Sequence, residues 1–216
     1  MMLTLRLGTK TDLEWAQATV EQNHYLHQRV DNHARPMVYV IEYCYGENLG
    51  LIMAGIPHAT RRKNWWGYPD TITQWQVLDL NRIWLSPRIQ QGGDLALSHI
   101  VPGFRDRKGT FRPTTATWAI KQVLSRIQKD RISWWPPVYL DQPYHIRLVI
   151  SYHDPKFHEG LIYKLAKARP MDTNDDNEPV PAPSGKYCWY WQLPEPNWTW
   201  EDIKILRPRN LRMAFI

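Results

Sequence analysis

Two stretches of the chain repeat apolar residues at helical spacing. Leu13, Ala16 and Val20 share one face of a helix predicted over residues 11–23, with Thr11 or Asp12 as its cap. A longer helix is predicted to open at Pro113, and its apolar stripe consists of Ala116, Ala119, Ile120, Val123, Leu124 and Ile127. A third helix is predicted over residues 160–168.

Strand patterns lie between and after these helices. Residues 37–42 and 49–56 predict paired strands, joined by a turn at 46–48. Residues 75–85 are apolar on both faces, which predicts a central strand, and 186–193 alternate as a final strand. Residues 132–140 are expected to be extended, and 144–152 to form a short helix or strand. The order predicts an α/β fold with a mixed central sheet flanked by helices.

The chain length of 216 residues predicts one domain. Residues 1–195 are expected to form it, including an acidic, proline-rich segment at 170–185 that predicts a mobile loop. The basic tail at 196–216 is a candidate for docking on this domain or on a second copy, as in a homodimer.

Composition narrows the class of protein. Hydrophobic residues make up 43% and charged residues 22%, which argues against a disordered chain and against a membrane protein. Neither a signal peptide nor a CxxC pair is visible, so we expect a cytoplasmic protein without a redox or cysteine-zinc role.

The net charge of +6 and the 12 tryptophans favour an anionic partner with flat rings. One segment combines both features: it contains Arg61, Arg62, Lys63, Trp65 and Trp66. Its cations would neutralise phosphates and its indoles would stack on an extruded base. A solvated loop anchored by one buried tryptophan explains the segment equally well.

A basic, glycine-containing loop precedes the long helix. Arg105, Arg107, Lys108, Gly109, Arg112 and Thr114 combine guanidinium, ammonium and backbone donors near a helix N-terminus, which suits a pyrophosphate. This arrangement resembles the acyl-CoA site of GNAT acyltransferases, although only Gly109 matches their glycine-rich pattern. The order of elements also resembles theirs, which implies a GNAT-like mixed central sheet flanked by helices. The alternative is a solvated basic loop.

Chemically versatile side chains concentrate in two further segments. Residues 23–27 read Asn-His-Tyr-Leu-His, in which His24 and Tyr25 offer nitrogen and oxygen donors to a metal. Residues 151–163 bring Asp154 and Tyr163 into a loop that opens a helix. The alternatives are a structural histidine at a helix end and a core tyrosine.

Together the two segments resemble the Mom-type DNA-modification proteins of bacteriophages, over roughly residues 24–168. The resemblance implies a carbamoylmethyl-type group added to adenine N6 of double-stranded DNA, which protects the DNA of a phage or mobile element from restriction. It implies catalytic roles for His24, Tyr25, Asp154 and Tyr163. It also implies a flipped adenine, an acyl-CoA or related donor, and possible iron at His24, Tyr25 and Asp154. In GNAT enzymes, a tyrosine placed like Tyr163 protonates the leaving thiolate.

Two other functions fit the sequence. The acyl-carrier loop alone is equally consistent with a GNAT acetyltransferase that acts on a small amine or a protein. A non-catalytic nucleic-acid-binding module would explain the charge and the tryptophans. Convergence of His24, Asp154 and Tyr163 in one pocket would favour an enzyme, because a pure binder has no use for acid–base groups.

Overall fold

A seven-stranded sheet organises the protein, whose computed structural model describes residues 3–31, 35–44, 46–57, 72, 76–98, 100–134 and 145–195. The strands in these ranges are β1 (Thr4–Leu7), β2 (Met37–Tyr43), β3 (Glu47–Gly55), β4 (Val77–Leu85), β5 (Gly103–Arg105), β6 (Phe111–Pro113), β7 (Leu148–His153), β8 (Arg169–Pro170) and β9 (Tyr187–Gln192). The α-helices are α1 (Lys10–Asn23), α2 (Asp94–Leu97), α3 (Thr115–Trp134) and α4 (Leu161–Leu165).

The strand order of the large sheet is β1-β2-β3-β4-β7-β9-β8. Only the β4–β7 pair is parallel in this sheet, and the connection between the two strands carries α3. Val38 and Val40 pack toward α1, whereas Tyr39 and Ile41 belong to the core that includes α3. The predicted single α/β domain with a mixed sheet and flanking helices is therefore confirmed.

The parallel strands β4 and β7 separate soon after they meet. Pairing joins Val77–Asp79 to Leu148–Ile150, whereas β4 continues to Leu85 and β7 to His153. On its other edge β4 carries a bulge, because Met53 pairs with Arg82 and Ala54 with Leu80, so that Asn81 is the extra residue. A gap thus opens at the carboxyl ends of the parallel strands, where α/β folds commonly bind ligands.

Most predicted elements are present. The strands predicted at 37–42, 49–56, 75–85 and 186–193 are confirmed, and 144–152 contains the strand β7. The helices predicted at 11–23 and 160–168 are confirmed as α1 and the shorter α4. The four-residue edge strand β1 was not predicted.

Three expectations around α3 are wrong. Pro113 ends β6 and the helix begins at Thr115. The loop before it folds into the β5–β6 hairpin, because the Asp106 carboxylate accepts the backbone N–H groups of Lys108 and Thr110. Residues 132–134 finish α3 and are not extended, because the helix keeps its buried face as far as Asp130 and Arg131; residues 135–144 lie outside the described ranges.

The acidic segment at 170–185 is folded into turns. Thr173 bridges Pro179, and the side-chain oxygen of Asn174 accepts the N–H groups of Asp176 and Glu178. Its mobility stays a prediction. Among the described residues, no helix is long and apolar enough to cross a membrane.

The cap of α1 is Thr9. Thr11 and Asp12, which the sequence offered as caps, lie within the helix. The Thr9 hydroxyl accepts the N–H of Asp12, and the Asp12 carboxylate accepts the N–H of Thr9, which completes a capping box. Arg6 donates two hydrogen bonds to Asp12 and holds the pKa of that carboxyl well below its usual range. The carboxylate therefore links the helix start to β1.

We predict that Thr9→Ala lowers the free energy of unfolding by about 1 kcal/mol, because the backbone N–H of Asp12 loses the hydroxyl that accepts it. Thr11→Ala is the matched control, since Thr11 is exposed within the helix. Urea denaturation measures both variants. Equal losses in the two would mean that Thr9 does not cap the helix.

Candidate active site

A cavity of about 530 Å³ occupies the gap beside β4. Strand β4 forms one wall, and the end of α1, the end of β7 and the start of α4 form the others. Its polar lining residues are Asn23, His24, Tyr25, Asn81, Gln90, Tyr152, His158 and Tyr163. The cavity thus brings His24 and Tyr25 together with Tyr163, which is far from them in sequence.

His24 is held as a neutral imidazole. It follows the last residue of α1 and its Nδ1 accepts the backbone N–H of Leu26 at 3.3 Å. Burial, together with the nearby charges of Arg82 and His158, lowers the pKa of His24 to about 4. A neutral ring whose Nδ1 accepts carries its proton on Nε2. His24 is therefore a hydrogen-bond donor at neutral pH.

Tyr163 is a buried phenol whose hydroxyl lies at the point where the strands separate. Its oxygen is 3.2 Å from Ser151 Oγ and 3.5 Å from the Tyr152 carbonyl oxygen. Ser151 Oγ lies 3.1 Å from the carbonyl oxygen of Leu80, the first β4 residue past the paired segment. Burial raises the pKa of Tyr163, so the hydroxyl keeps its proton at neutral pH.

Aromatic rings fix Tyr163 in this position. It stacks against His153 and Trp189, with ring centroids 5.8 and 6.0 Å away. The indole N–H of Trp189 donates to His153 Nδ1 at 2.6 Å, and burial lowers the pKa of His153 to about 4. Sequence reasoning assigned no role to His153, His158 or Ser151. The segment at 151–163 that contains them was the only available signal.

Asp154 is not among the residues that line the cavity. Its Oδ1 accepts the N–H of Lys156 at 3.0 Å and its carbonyl accepts the N–H of Phe157, so it shapes a turn. This turn carries Phe157 onto Tyr25, with ring centroids 4.4 Å apart. Burial raises the pKa of Tyr25, and the Asp154 charge adds to the effect. The structure therefore places Asp154 beside the site as a turn former.

The residues expected to hold iron do not fit a metal centre. One nitrogen of His24 and one oxygen of Asp154 accept backbone N–H groups, and the Asp154 carboxylate does not face the cavity. Within the described part of the chain, no three histidine, cysteine or acidic side chains are grouped as metal ligands.

A second cavity of about 530 Å³ adjoins the first, since both are lined by Leu85, Gln90, Ala116 and Ile162. It lies at the N-terminus of the 20-residue helix α3, whose first turn contains no acidic residue. Free N–H groups and the positive end of a helix dipole favour an anion at such a terminus.

Two of the six residues predicted to bind a cofactor, Arg112 and Thr114, line this second cavity. Arg112 Nε donates to Asp106 at 2.9 Å, and Arg105 donates to the Gly109 carbonyl at 2.8 Å. Arg107 and Lys108 are exposed at the tip of the hairpin. The predicted nucleic-acid-binding residues Arg61, Arg62, Lys63, Trp65 and Trp66 lie outside the described residues.

Comparison with known proteins gives similarity of fold alone. No family model and no curated protein matches the sequence. Aminoglycoside acetyltransferase AAC(6')-Ib, solved with coenzyme A and kanamycin, is 14% identical, with a TM-score of 0.48 over 88% of this chain and 94% of that one. Spermidine N-acetyltransferase from Vibrio cholerae, solved with CoA and spermine, is 11% identical, with a TM-score of 0.45 over 88% and 95%. Arabidopsis thaliana NAA60, solved with a bisubstrate analogue, is 12% identical, with a TM-score of 0.45 over 89% and 100%.

We predict that Gly160→Ala destabilises the protein more than Gly185→Ala. Both glycines have positive φ, +69° and +78°, so both substitutions strain the backbone by about 1–2 kcal/mol. A Cβ on Gly160 would also lie 2.6 Å from the His153 ring, whereas one on Gly185 meets nothing within 4 Å. Thermal unfolding measures the difference, and equal losses would rule out a packing role for the His153–Gly160 contact.

Proposed function

We propose that the protein is an N-acyltransferase, which moves an acyl group from a thioester such as acyl-CoA to an amine. The observation that carries this proposal is the gap between β4 and β7. It joins a cavity at a helix N-terminus to a cavity that contains a protonated phenol and a neutral imidazole. A thioester carrier needs both parts: an anion site for its phosphates and a proton donor for its sulfur.

The open edge of β4 suits the extended arm of an acyl carrier. From Leu80 to Leu85 this edge has no partner strand on the β7 side among the described residues. An extended chain of amides can pair with such an edge as an added strand does. The Leu80 carbonyl already lies within hydrogen-bonding distance of a side-chain hydroxyl, that of Ser151. The N-terminus of α3 and Arg112 then lie on the side where the carrier's phosphates would bind.

The transfer requires one bond to form and one to break. The amine nitrogen bonds to the carbonyl carbon, and the carbon–sulfur bond breaks. Tyr163 donates its phenolic proton to the departing thiolate, and its burial keeps that proton available at neutral pH. His24 Nε2–H supplies a donor for the oxyanion that develops on the carbonyl oxygen.

We predict that Tyr163→Phe keeps the fold and lowers acyl transfer about 10²- to 10⁴-fold, because the thiolate loses its acid. Release of thiol from acetyl-CoA measures the rate with a set of trial amines: kanamycin and spermine, which are present in two of the structures with similar folds, and semicarbazide, an uncharged primary amine. Tyr43→Phe, on β2 and separated from β4 by β3, is the control. A wild-type rate in Tyr163→Phe would remove Tyr163 from the mechanism.

A second candidate acceptor is the exocyclic N6 of an adenine extruded from DNA, which would receive the acyl group as an amide. The aromatic wall of the cavity favours it. Tyr25 stacks on Phe157, whose side chain is 57% exposed, and the His24 ring lies 4.3 Å from Tyr25. An exposed stack beside a catalytic cavity is a platform for a flat base.

If adenine N6 is the acceptor, DNA from cells that express the protein contains modified deoxyadenosine. Mass spectrometry of nucleosides from that DNA measures the modification. Phe157→Ala should lower the modification about tenfold, because the base loses a stacking surface worth about 1–3 kcal/mol. Its transfer to a small aliphatic amine should stay unchanged. Unmodified DNA from cells whose purified protein acylates a small amine would exclude adenine as the acceptor.

A further inference from the structure

A third cavity adjoins the candidate active site and has no part in the mechanism proposed above. Its volume is about 340 Å³, and it shares Tyr25, Leu80, Asn81 and Tyr152 with the candidate active site. The charged side chains that line it are Arg29, Asp31, Asp79, Arg82 and Lys186. We name it the Asp79 cavity.

Three buried polar atoms in this cavity have no hydrogen-bond partner within the described residues: Asp79 Oδ1, Asn81 Oδ1 and Arg82 Nε. All three belong to one short stretch of β4 around its bulge. Because Asn81 is an extra residue, Asp79 and Arg82 both line this cavity although strict alternation would place them on opposite faces. A buried polar atom without a partner costs about 1–3 kcal/mol, so such a group favours a ligand that pairs with it.

We propose that the Asp79 cavity binds the acceptor, and that Asp79 is the general base that takes the proton of the acceptor amine. This inference rests on the proposed acyltransferase function and deepens it. Asp79 Oδ1 and Asn81 Oδ1 are two hydrogen-bond acceptors for the two N–H groups of a primary amine. The class of acceptor is therefore a primary amine that lies beside a hydrogen-bond acceptor atom, which Arg82 Nε–H would contact.

Around the cavity the three cationic side chains outnumber the two acidic ones, which disfavours a polycation as the acceptor. Arg82 also donates to the carbonyl oxygens of Asn81 and Gln28, which fixes its guanidinium at the cavity. Arg82 and Lys186 are both close enough to lower the pKa of Asp79, and a second cationic centre on the acceptor would be repelled by them. An acceptor that is uncharged apart from its reacting nitrogen fits better than a polyamine.

Asp79 and Tyr163 line adjoining cavities, which share Tyr25, Leu80, Asn81 and Tyr152. Burial is the main cause of the raised pKa of Tyr163, and the charges of Tyr25 and Asp79 add to it. The proton balance then closes. The amine nitrogen bonds to the acyl carbon and gives a proton to Asp79, while the thiolate leaves and takes the Tyr163 proton.

The protonation of Asp79 sets the expected pH dependence. Burial raises its pKa to about 7, against the opposing charges of Arg82 and Lys186. The other titratable groups around it are Tyr25 after α1, Tyr163 on α4, and Arg29 and Asp31 on the cavity wall. A base must be deprotonated, so the rate of transfer is expected to rise as pH rises through about 7 and then level off.

The test uses the full chain, acetyl-CoA as donor and semicarbazide as acceptor, a primary amine that stays uncharged around neutral pH. We predict that Asp79→Asn lowers kcat/KM about 10²- to 10⁴-fold and abolishes the rise near pH 7. Its affinity for coenzyme A, measured by calorimetry, should equal that of the wild type, which also shows that the variant folds. Asp175→Asn, in an exposed turn, is the matched control and should behave as the wild type.

Two outcomes would overturn the assignment, and they differ. If the wild type transfers and Asp79→Asn keeps both the rate and the pH profile, Asp79 is not the base, and the acyltransferase proposal stands. If the wild type neither binds coenzyme A nor releases thiol, the proposed function fails, and the role of Asp79 fails with it.

Discussion

The divergence of β4 from β7 is the constraint on which the rest of the site depends. Three residue pairs join the strands, after which each continues without the other. Continued pairing would close the sheet and leave no room for a ligand. Ser151 occupies the first position past the pairing, where its hydroxyl lies 3.1 Å from the Leu80 carbonyl oxygen and 3.2 Å from the Tyr163 hydroxyl. The point of separation thus also positions the proposed acid.

The protonation states around the gap follow from burial more than from ion pairs. Burial is the largest cause of the lowered pKa values of His24 and His153 and of the raised values of Tyr163 and Asp79. The site therefore holds uncharged hydrogen-bond donors on one side and a carboxyl that ionises near neutrality on the other. In a partly desolvated cleft, such groups interact more strongly with developing charge than they would in water.

Sequence patterns predicted the sheet and the long helices because apolar periodicity reports burial directly. They also singled out His24, Tyr25 and Tyr163, because these residues lie in short segments crowded with chemically active side chains. The three residues line one cavity, and their catalytic roles stay predictions. Asp154 was singled out for the same reason, but its carboxylate accepts the backbone N–H of Lys156 in a turn, which residue type alone does not reveal. Asp79 gave no signal, because a single acid in an apolar strand is ordinary. Its proposed role depends on the bulge at Asn81 and on the cavity beside that bulge, which only the folded chain establishes.

Hydrogen exchange on β4 tests the central claim, that the gap receives the extended arm of an acyl carrier, most directly. Amide exchange is followed by NMR or mass spectrometry with and without saturating coenzyme A. The account predicts increased protection within Leu80–Leu85, the part of β4 past its pairing with β7, and little change in Val77–Asp79, which are already paired. Coenzyme A binding without added protection in Leu80–Leu85, or no binding at all, would contradict it.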